Sequence, residues 1–311
     1  FILFLLSSKF IYTQNTQRLI TDSSLIGIDT ILIEIDSTLI EIDSTLTKFE
    51  ISFKDSINKL NRLNQSLTES RNAYNSGLDL LKSQQFQKAI LHFTNSISLD
   101  STFSQAYFYR AKCYEQSNDS LSLLDYQLAF YLDSTNLLPL YNIARIHANS
   151  DYKKAINTYN LITSLNNKES KAYYEIGLLL YLQQEIEKAV SFFTQSLLIS
   201  QNSRTLNDRA SCYRILDKNE LAIKDYLSAI ALNSDLSFIY NNLASTYRKQ
   251  GESTKAISYY TFAIDKDTNY VLAYNNRGSL YIDLNDFDNA FNDINKAISI
   301  DSEYAPAYNN K

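Results

Sequence analysis

Apolar residues recur at spacings of three and four along most of this chain, as in Ala172 to Tyr181 and Ile186 to Ile199, the pattern of a helix with one buried stripe. Short polar turns separate such stretches, for example Lys249-Gln250-Gly251-Glu252 and Leu284-Asn285-Asp286. The pattern itself repeats. A small residue returns every 33 or 34 positions, at Gly77, Ala111, Ala144, Gly177, Ala210, Ala244 and Gly278. Eleven or twelve residues behind it runs a second small column, Ala89, Ser122, Ala155, Ala189, Ala222, Ala256 and Ala290. Four residues further comes a large residue each time: Phe93, Tyr126, Tyr159, Phe193, Tyr226, Tyr260 and then Ile294. Three columns in register mean stacked supersecondary units rather than one globular core. Two small positions per unit predict two closely packed helices, with each unit burying its apolar face against its neighbours. Five glycines and two prolines in 311 residues argue against a turn-rich β architecture, so the expected class is all-α.

These columns resemble the tetratricopeptide repeat (TPR), whose 34-residue unit reads W-x2-L-G-x2-Y, then A-x3-F, then P. The best copy is Tyr240, Leu243, Ala244, Tyr247, Ala256, Tyr260 and Ala263, followed by Tyr274, Arg277, Gly278, Tyr281, Ala290, Ile294 and Ala297. The resemblance implies a solenoid of antiparallel helix pairs wound as a right-handed superhelix. Its register sets seven units at about 70–103, 104–136, 137–169, 170–202, 203–236, 237–270 and 271–304, with residues 305–311 opening an eighth. The closing proline is replaced by Ser101, Ser134, Gln201, Ser234, Thr268 and Ser302, in segments where Ser and Asp are expected to cap the next helix. Repeats two and three are one residue short between their helices, and His147 stands in the column where Tyr114, Tyr213, Tyr247 and Tyr281 also stand. Those two units are expected to pack least regularly.

Before the repeats, Ile31-Leu32-Ile33-Glu34-Ile35-Asp36-Ser37 is nearly duplicated by Thr38-Leu39-Ile40-Glu41-Ile42-Asp43-Ser44, a period of seven. Apolar residues continue in an a/d register at Leu46, Phe49, Phe53, Leu60, Leu63 and Leu67. Within residues 15–69 this seam argues for a long coiled-coil helix, and so for a homodimer through residues 31–67 or docking along another helix. The Ile-Glu-Ile-Asp alternation and the Ser, Thr and Ile content argue for a strand instead. The chain opens Phe1-Ile2-Leu3-Phe4-Leu5-Leu6, then Ser7-Ser8-Lys9, so residues 1–14 read as the remnant of a signal peptide. That leader favours an exported or cell-envelope location over the cytoplasm, and it is too short for a membrane span.

A net charge of -5 with dispersed Lys and Arg disfavours nucleic acid as the principal ligand. Of 24 tyrosines many occupy the repeat columns, where packing accounts for them. Cys113 and Cys212 lie three repeats apart, too far for a disulfide, and are expected to be buried thiols. The two histidines, His92 and His147, sit in no catalytic or metal-binding motif, and no glycine loop for phosphate is present. Asp283 to Asp288 lacks the glycine and terminal glutamate of an EF-hand and falls on a turn. No enzyme activity, metal or cofactor is expected.

What remains is surface for recognition. The resemblance implies a groove lined by the first helix of each unit at positions two, five, six, nine and twelve, the small residue being position eight. Position six holds Asn75, Asn142, Asn242, Asn276 and Asn310, interrupted by Tyr109, Glu175 and Asp208. An asparagine amide both donates and accepts, so such a column can hold a peptide backbone whatever its sequence. It resembles the asparagine ladder of O-linked N-acetylglucosamine transferases, although a polar residue on a solvated face needs no ligand. Tyr74 and Tyr174 add apolar contact, and Arg71, Lys112, Arg145, Arg214 and Arg248 add charge for an acidic partner segment. The expected function is a non-enzymatic scaffold that binds a peptide segment of a protein partner. The alternative is the substrate-recognition arm of a longer enzyme, glycosyltransferase-like, with its catalytic domain beyond residue 311.

Overall fold

The computed structural model describes residues 26–310, with side chains from residue 34 onward, and the expected leader at residues 1–14 lies outside them. The described residues form fifteen α-helices and no strand. The chain divides into two units, residues 1–72 and 73–311.

The described part of the first unit is one helix, α1 (Ile26–Lys82), whose final turns belong to the second unit. The strand alternative for residues 31–67 is therefore corrected: the segment is helical throughout. Its β-favouring residues fit because their hydroxyls fold back onto the helix's own carbonyls. Ser37 donates to the Glu34 carbonyl at 2.8 Å and Ser44 to that of Glu41 at 2.9 Å, while Thr38 and Thr45 reach the same two carbonyls at 3.0 and 3.1 Å. The expected boundary at residue 69 falls inside this unbroken helix.

The second unit is a stack of helix pairs. The end of α1 pairs with α2 (Phe86–Leu99), α3 (Ser104–Tyr114) with α4 (Asp119–Leu132), and α5 (Leu138–Ala148) with α6 (Tyr152–Leu165). Next come α7 (Ser170–Leu182) with α8 (Ile186–Ile199), α9 (Ser203–Ile215) with α10 (Asn219–Leu232), and α11 (Ser237–Lys249) with α12 (Ser253–Lys266). Last are α13 (Val271–Asp283) with α14 (Phe287–Ile300), and the short α15 (Ala305–Asn310). Each helix packs on the next, and from α7 onward successive first helices also touch directly.

The three sequence columns are the core. Ala111, Ala144, Ala210 and Ala244 are fully buried, as are Ala89, Ala155, Ala189, Ala222 and Ala256. The large residue of each pair lies over the small residue of its first helix: a Cβ on Gly177 would stand 2.7 Å from Phe193. Where the large residue is a fully buried tyrosine, its hydroxyl finds an oxygen in or just past its first helix: Tyr226 meets Ser211 at 2.9 Å, Tyr260 meets Ser245 at 3.0 Å, and Tyr126 donates to Glu115, the residue after α3. Where it is Phe93 or Phe193, the residue matching those serines is Leu78 or Leu178. A buried hydroxyl without a partner costs ~1–3 kcal/mol, so each of these tyrosines is given one, whereas the serine does not require a tyrosine: Ser279 stands opposite Ile294.

The turns inside the pairs differ as the sequence predicts. In repeats one, four, five, six and seven the first helix closes with a left-handed residue, Gln84, Gln184, Asp217, Gly251 or Asn285, at φ values of 57, 62, 57, 79 and 61°. The next amide then reaches back five residues, as from Glu185 to the Leu180 carbonyl at 2.9 Å and from Lys218 to that of Tyr213 at 2.8 Å. Repeats two and three lack the extra residue and close with four-residue bonds instead, from Asn118 to Tyr114 and from Asp151 to His147.

The capping expectation between pairs needs correction. Of first helices α3, α5, α7, α9, α11 and α13, only α9 has a side-chain cap, from Asn202. Elsewhere the residue ending the second helix does the work: Asp100, Asp133, Asn166, Asn233, Asp267 and Asp301 each accept from the amide two residues on, at 2.9 to 3.2 Å. These Asx turns satisfy the loop backbone in place of proline.

Candidate functional site

The first helices present positions five and six side by side, and the character of this row changes midway. Position five is Tyr74, Phe108, Tyr141 and Tyr174 in repeats one to four, then Asn207, Asn241, Asn275 and Asn309. In the second half, position six donates to position five of the preceding repeat. The Nδ2 groups of Asn242, Asn276 and Asn310 reach the Oδ1 atoms of Asn207, Asn241 and Asn275 at 2.9, 3.0 and 3.0 Å. Asn207, Asn241 and Asn275 are buried, so these bonds tie adjacent first helices together. The two remaining members of the predicted column stand apart. Asn142 donates to the Leu138 carbonyl of its own helix at 2.9 Å, and Asn75 is exposed.

In the first half, Tyr74 sits among Phe93, Phe103 and Tyr109 with ring centroids 4.8 to 5.9 Å away, and burial pushes its hydroxyl up to about 12. Tyr174 bridges to the next repeat by donating to Asp208 at 3.0 Å. The predicted cations are largely engaged within the chain. Lys112 lies over the rings of Phe108 and Tyr109, Arg145 pairs with Glu115 at 2.6 Å, and Arg248 pairs with Asp283 and donates to Ser279. Arg214 stands beside Tyr226, with its Nε buried and unbonded. Arg71 is exposed.

Between α7 and α9 lies a cleft of about 460 Å³, lined among others by Lys171, Tyr174, Glu175, Asn202 and Arg204. Two carboxylates at position six mark this stretch. Asp208 accepts from Asn207 and Tyr174, both at 3.0 Å, yet burial outweighs these bonds and Arg204 and holds its pKa above the usual range. Glu175 is partly buried among Tyr141, Tyr159 and Tyr174, has no hydrogen bond or ion pair to a described residue, and is likewise pushed up by burial, with Lys171 only partly offsetting it. Such a carboxylate, facing a cleft beside Lys171 and Arg204, is suited to meet a polar or cationic group from outside. The sequence reading had passed over both carboxylates as breaks in the asparagine column.

It also missed a recurring polar cluster. Arg110, Arg209 and Arg277, each just before the small residue of its first helix, grip Asp125, Asp225 and Asp293 with two parallel bonds of 2.7 to 2.9 Å. The third donor of each guanidinium reaches Thr94, Thr194 or Thr261 in the second helix of the preceding repeat at 2.7 to 3.1 Å. These clusters join three helices across a repeat boundary, with side-chain exposures of 4 to 17%. They are structural. Burial pushes the thiols of Cys113 and Cys212 up to about 11 and about 12, which marks both as inert packing groups. Among the described residues no group of three or more His, Cys, Asp or Glu is placed to hold a metal, and no helix is long and apolar enough to cross a membrane.

Known proteins share this architecture. Two tetratricopeptide repeat family models match the chain, one at residues 170–203, 203–236 and 271–304 and the other at 239–269. Human tetratricopeptide repeat protein 6 is 30% identical over 145 residues, 46% of this chain and 28% of that protein. A TPR repeat-containing protein of Methanocaldococcus jannaschii is 24% identical over 139 residues, 43% of this chain and 24% of that protein. The matches thus span about a quarter of these relatives' length. The C-terminal part of a TPR repeat-containing protein from Cytophaga hutchinsonii superposes with a TM-score of 0.63 at 16% identity, covering 76% of this chain and 98% of that one, a likeness of fold. With its helix pairs, its three core columns and these family matches, the chain is a tetratricopeptide repeat protein.

Proposed function

We propose that this protein is a non-enzymatic interaction scaffold that holds a peptide segment of a protein partner along the row of first helices, centred on the cleft between α7 and α9. The observation that carries this reading is Glu175. Its carboxylate is partly desolvated, only partly offset by Lys171, and makes no hydrogen bond or ion pair to a described residue, so burial opposes its charged form where it faces the cleft. A residue that opposes folding and faces a cleft is accounted for by binding, where a partner's polar or cationic group replaces the lost water. Tyr174 supplies an apolar wall, and the outward groups of Asn242 and Asn276 remain available to a peptide backbone beside the bonds they make to Asn207 and Asn241. The reading includes self-association through the heptad seam of α1. Its exported location rests on the apolar leader alone.

The test is capture of partners from a native extract by the full chain, beside Glu175→Lys. A partner held by the parent and lost by the variant, with melting unchanged or raised, supports the cleft. Equal capture by both removes it.

A further inference from the structure

From Ile35 to Leu67 the a/d side chains of α1 are exposed or half-exposed, among them Ile42, Phe49, Phe53, Leu60 and Leu63. A helix gains most of its stability by packing an apolar face, and this one is rich in Ile, Ser and Thr, which hold a helix weakly on their own. Such a seam needs a cover along its length. Its chemistry identifies the cover as further copies of the same helix.

Position a is apolar at every heptad: Leu39, Leu46, Phe53, Leu60 and Leu67. Position d reads Ile35, Ile42, Phe49, Ser56 and Leu63, so the polar break falls only on d. Parallel, in-register packing sets a against a and d against d, and Ser56 then meets Ser56. Antiparallel packing sets a against d and drives Ser56 onto a leucine or phenylalanine. The Ser56 hydroxyl donates to the Ser52 carbonyl of its own helix at 2.8 Å, so a layer of these serines can be closed over without an unsatisfied donor. Charge agrees. In the parallel register the acids at position e face hydroxyls at position g of the neighbouring helix, Asp43 against Thr38 and Glu50 against Thr45, with no like charges opposed.

The number of strands follows from shape. β-Branched residues at a with leucine at d suit two strands, whereas leucine at a with isoleucine at d suits three or four. Leu39 with Ile42 follows the second rule, and Phe49 and Phe53, whose rings stack 6.3 Å apart along the helix, also ask for a wider core. We infer that α1 assembles with copies of itself as a parallel, in-register bundle of three or four helices. This rests on the self-association proposed above and fixes its order and direction.

Sedimentation equilibrium of the full chain separates the two claims. Three or four times the chain mass of 35.7 kDa is expected. Twice that mass keeps self-association and overturns the bundle, and a single chain mass overturns both. The combined variant Leu39→Ile, Ile42→Leu, Leu46→Ile reverses the a/d chemistry over two heptads and is expected to lower the assembly to two chains. An unchanged mass means that these side chains do not set the number. Direction is read from Ile42→Cys and Ser56→Cys made separately: both are expected to cross-link chain to chain on mild oxidation, since Cys113 and Cys212 are buried and do not compete. Cross-linking at neither or only one position contradicts the parallel register.

Discussion

Asn242 in α11 donates from Nδ2 to the Oδ1 of Asn207 in α9, 2.9 Å away and 35 residues earlier in the chain. The same step recurs from Asn276 to Asn241 and from Asn310 to Asn275. An asparagine that suggests a ligand contact in sequence thus first serves the stack, as one rung of a bond series between successive first helices. Asn242→Ala leaves the buried Asn207 oxygen without its donor. A loss of ~1–3 kcal/mol is expected, measured by urea denaturation, whereas Asn75→Ala at an exposed position should change stability little.

The Arg209 and Asp225 pair predicts a larger effect and a specific rescue. Asp225→Ala strands a guanidinium only 17% exposed and is expected to cost ~3–5 kcal/mol. Repeat six solves the same position without charge, using buried Leu243 and half-buried Tyr259. Transplanting that solution as Arg209→Leu with Asp225→Tyr should recover most of the loss in the same denaturation experiment, and a double variant no better than Asp225→Ala would refute the equivalence.

The left-handed turn residues carry a testable strain. Outside glycine that conformation costs ~1–2 kcal/mol, set against ~0.5–1 kcal/mol for the greater freedom of an unfolded glycine. Gln184→Gly, at φ 62°, is therefore expected to raise stability by ~0.5–1 kcal/mol. Ser117→Gly in repeat two, whose turn has no left-handed residue, should give no gain; calorimetric melting of the two variants makes the comparison.

Glu175 predicts a pH dependence with a definite sign. Its pKa is higher folded than unfolded, so the native state holds more protons and stability falls as pH rises from the unfolded carboxylate range through the raised value. Glu175→Gln removes that loss. Its melting temperature should exceed the parent's at neutral pH and approach it in acid, while its hold on the partner weakens. A parallel pair of melting curves across pH would show that the carboxylate is not opposed by burial.

Much of this was legible because repetition multiplies weak signals. Ala111, Ala144, Ala210 and Ala244 would each be unremarked alone, yet their common spacing located the core, the helix pairs and the shortened turns of repeats two and three. The choice of helix over strand for residues 31–67 was not legible, because Ser37, Thr38, Ser44 and Thr45 favour strands until their hydroxyls find carbonyls one turn back. The Arg–Asp clusters join residues 15 or 16 apart on different helices, beyond any local pattern. A signal for them existed across repeats. Arg110, Arg209 and Arg277 go with Asp125, Asp225 and Asp293, whereas Ile143, Ile176 and Leu243 go with Thr158, Phe192 and Tyr259. Glu175 and Asp208 were visible as departures from asparagine, but their meaning depends on burial, which only the packed helices define.

Hydrogen exchange of the full chain with and without a captured partner tests the central claim most directly. Added protection is expected on the first helices around Tyr174, Glu175 and Asp208, in α7, α9 and α11, and is lost in the Glu175→Lys variant. Protection confined to the second helices α8, α10 and α12, or to α1, would contradict it.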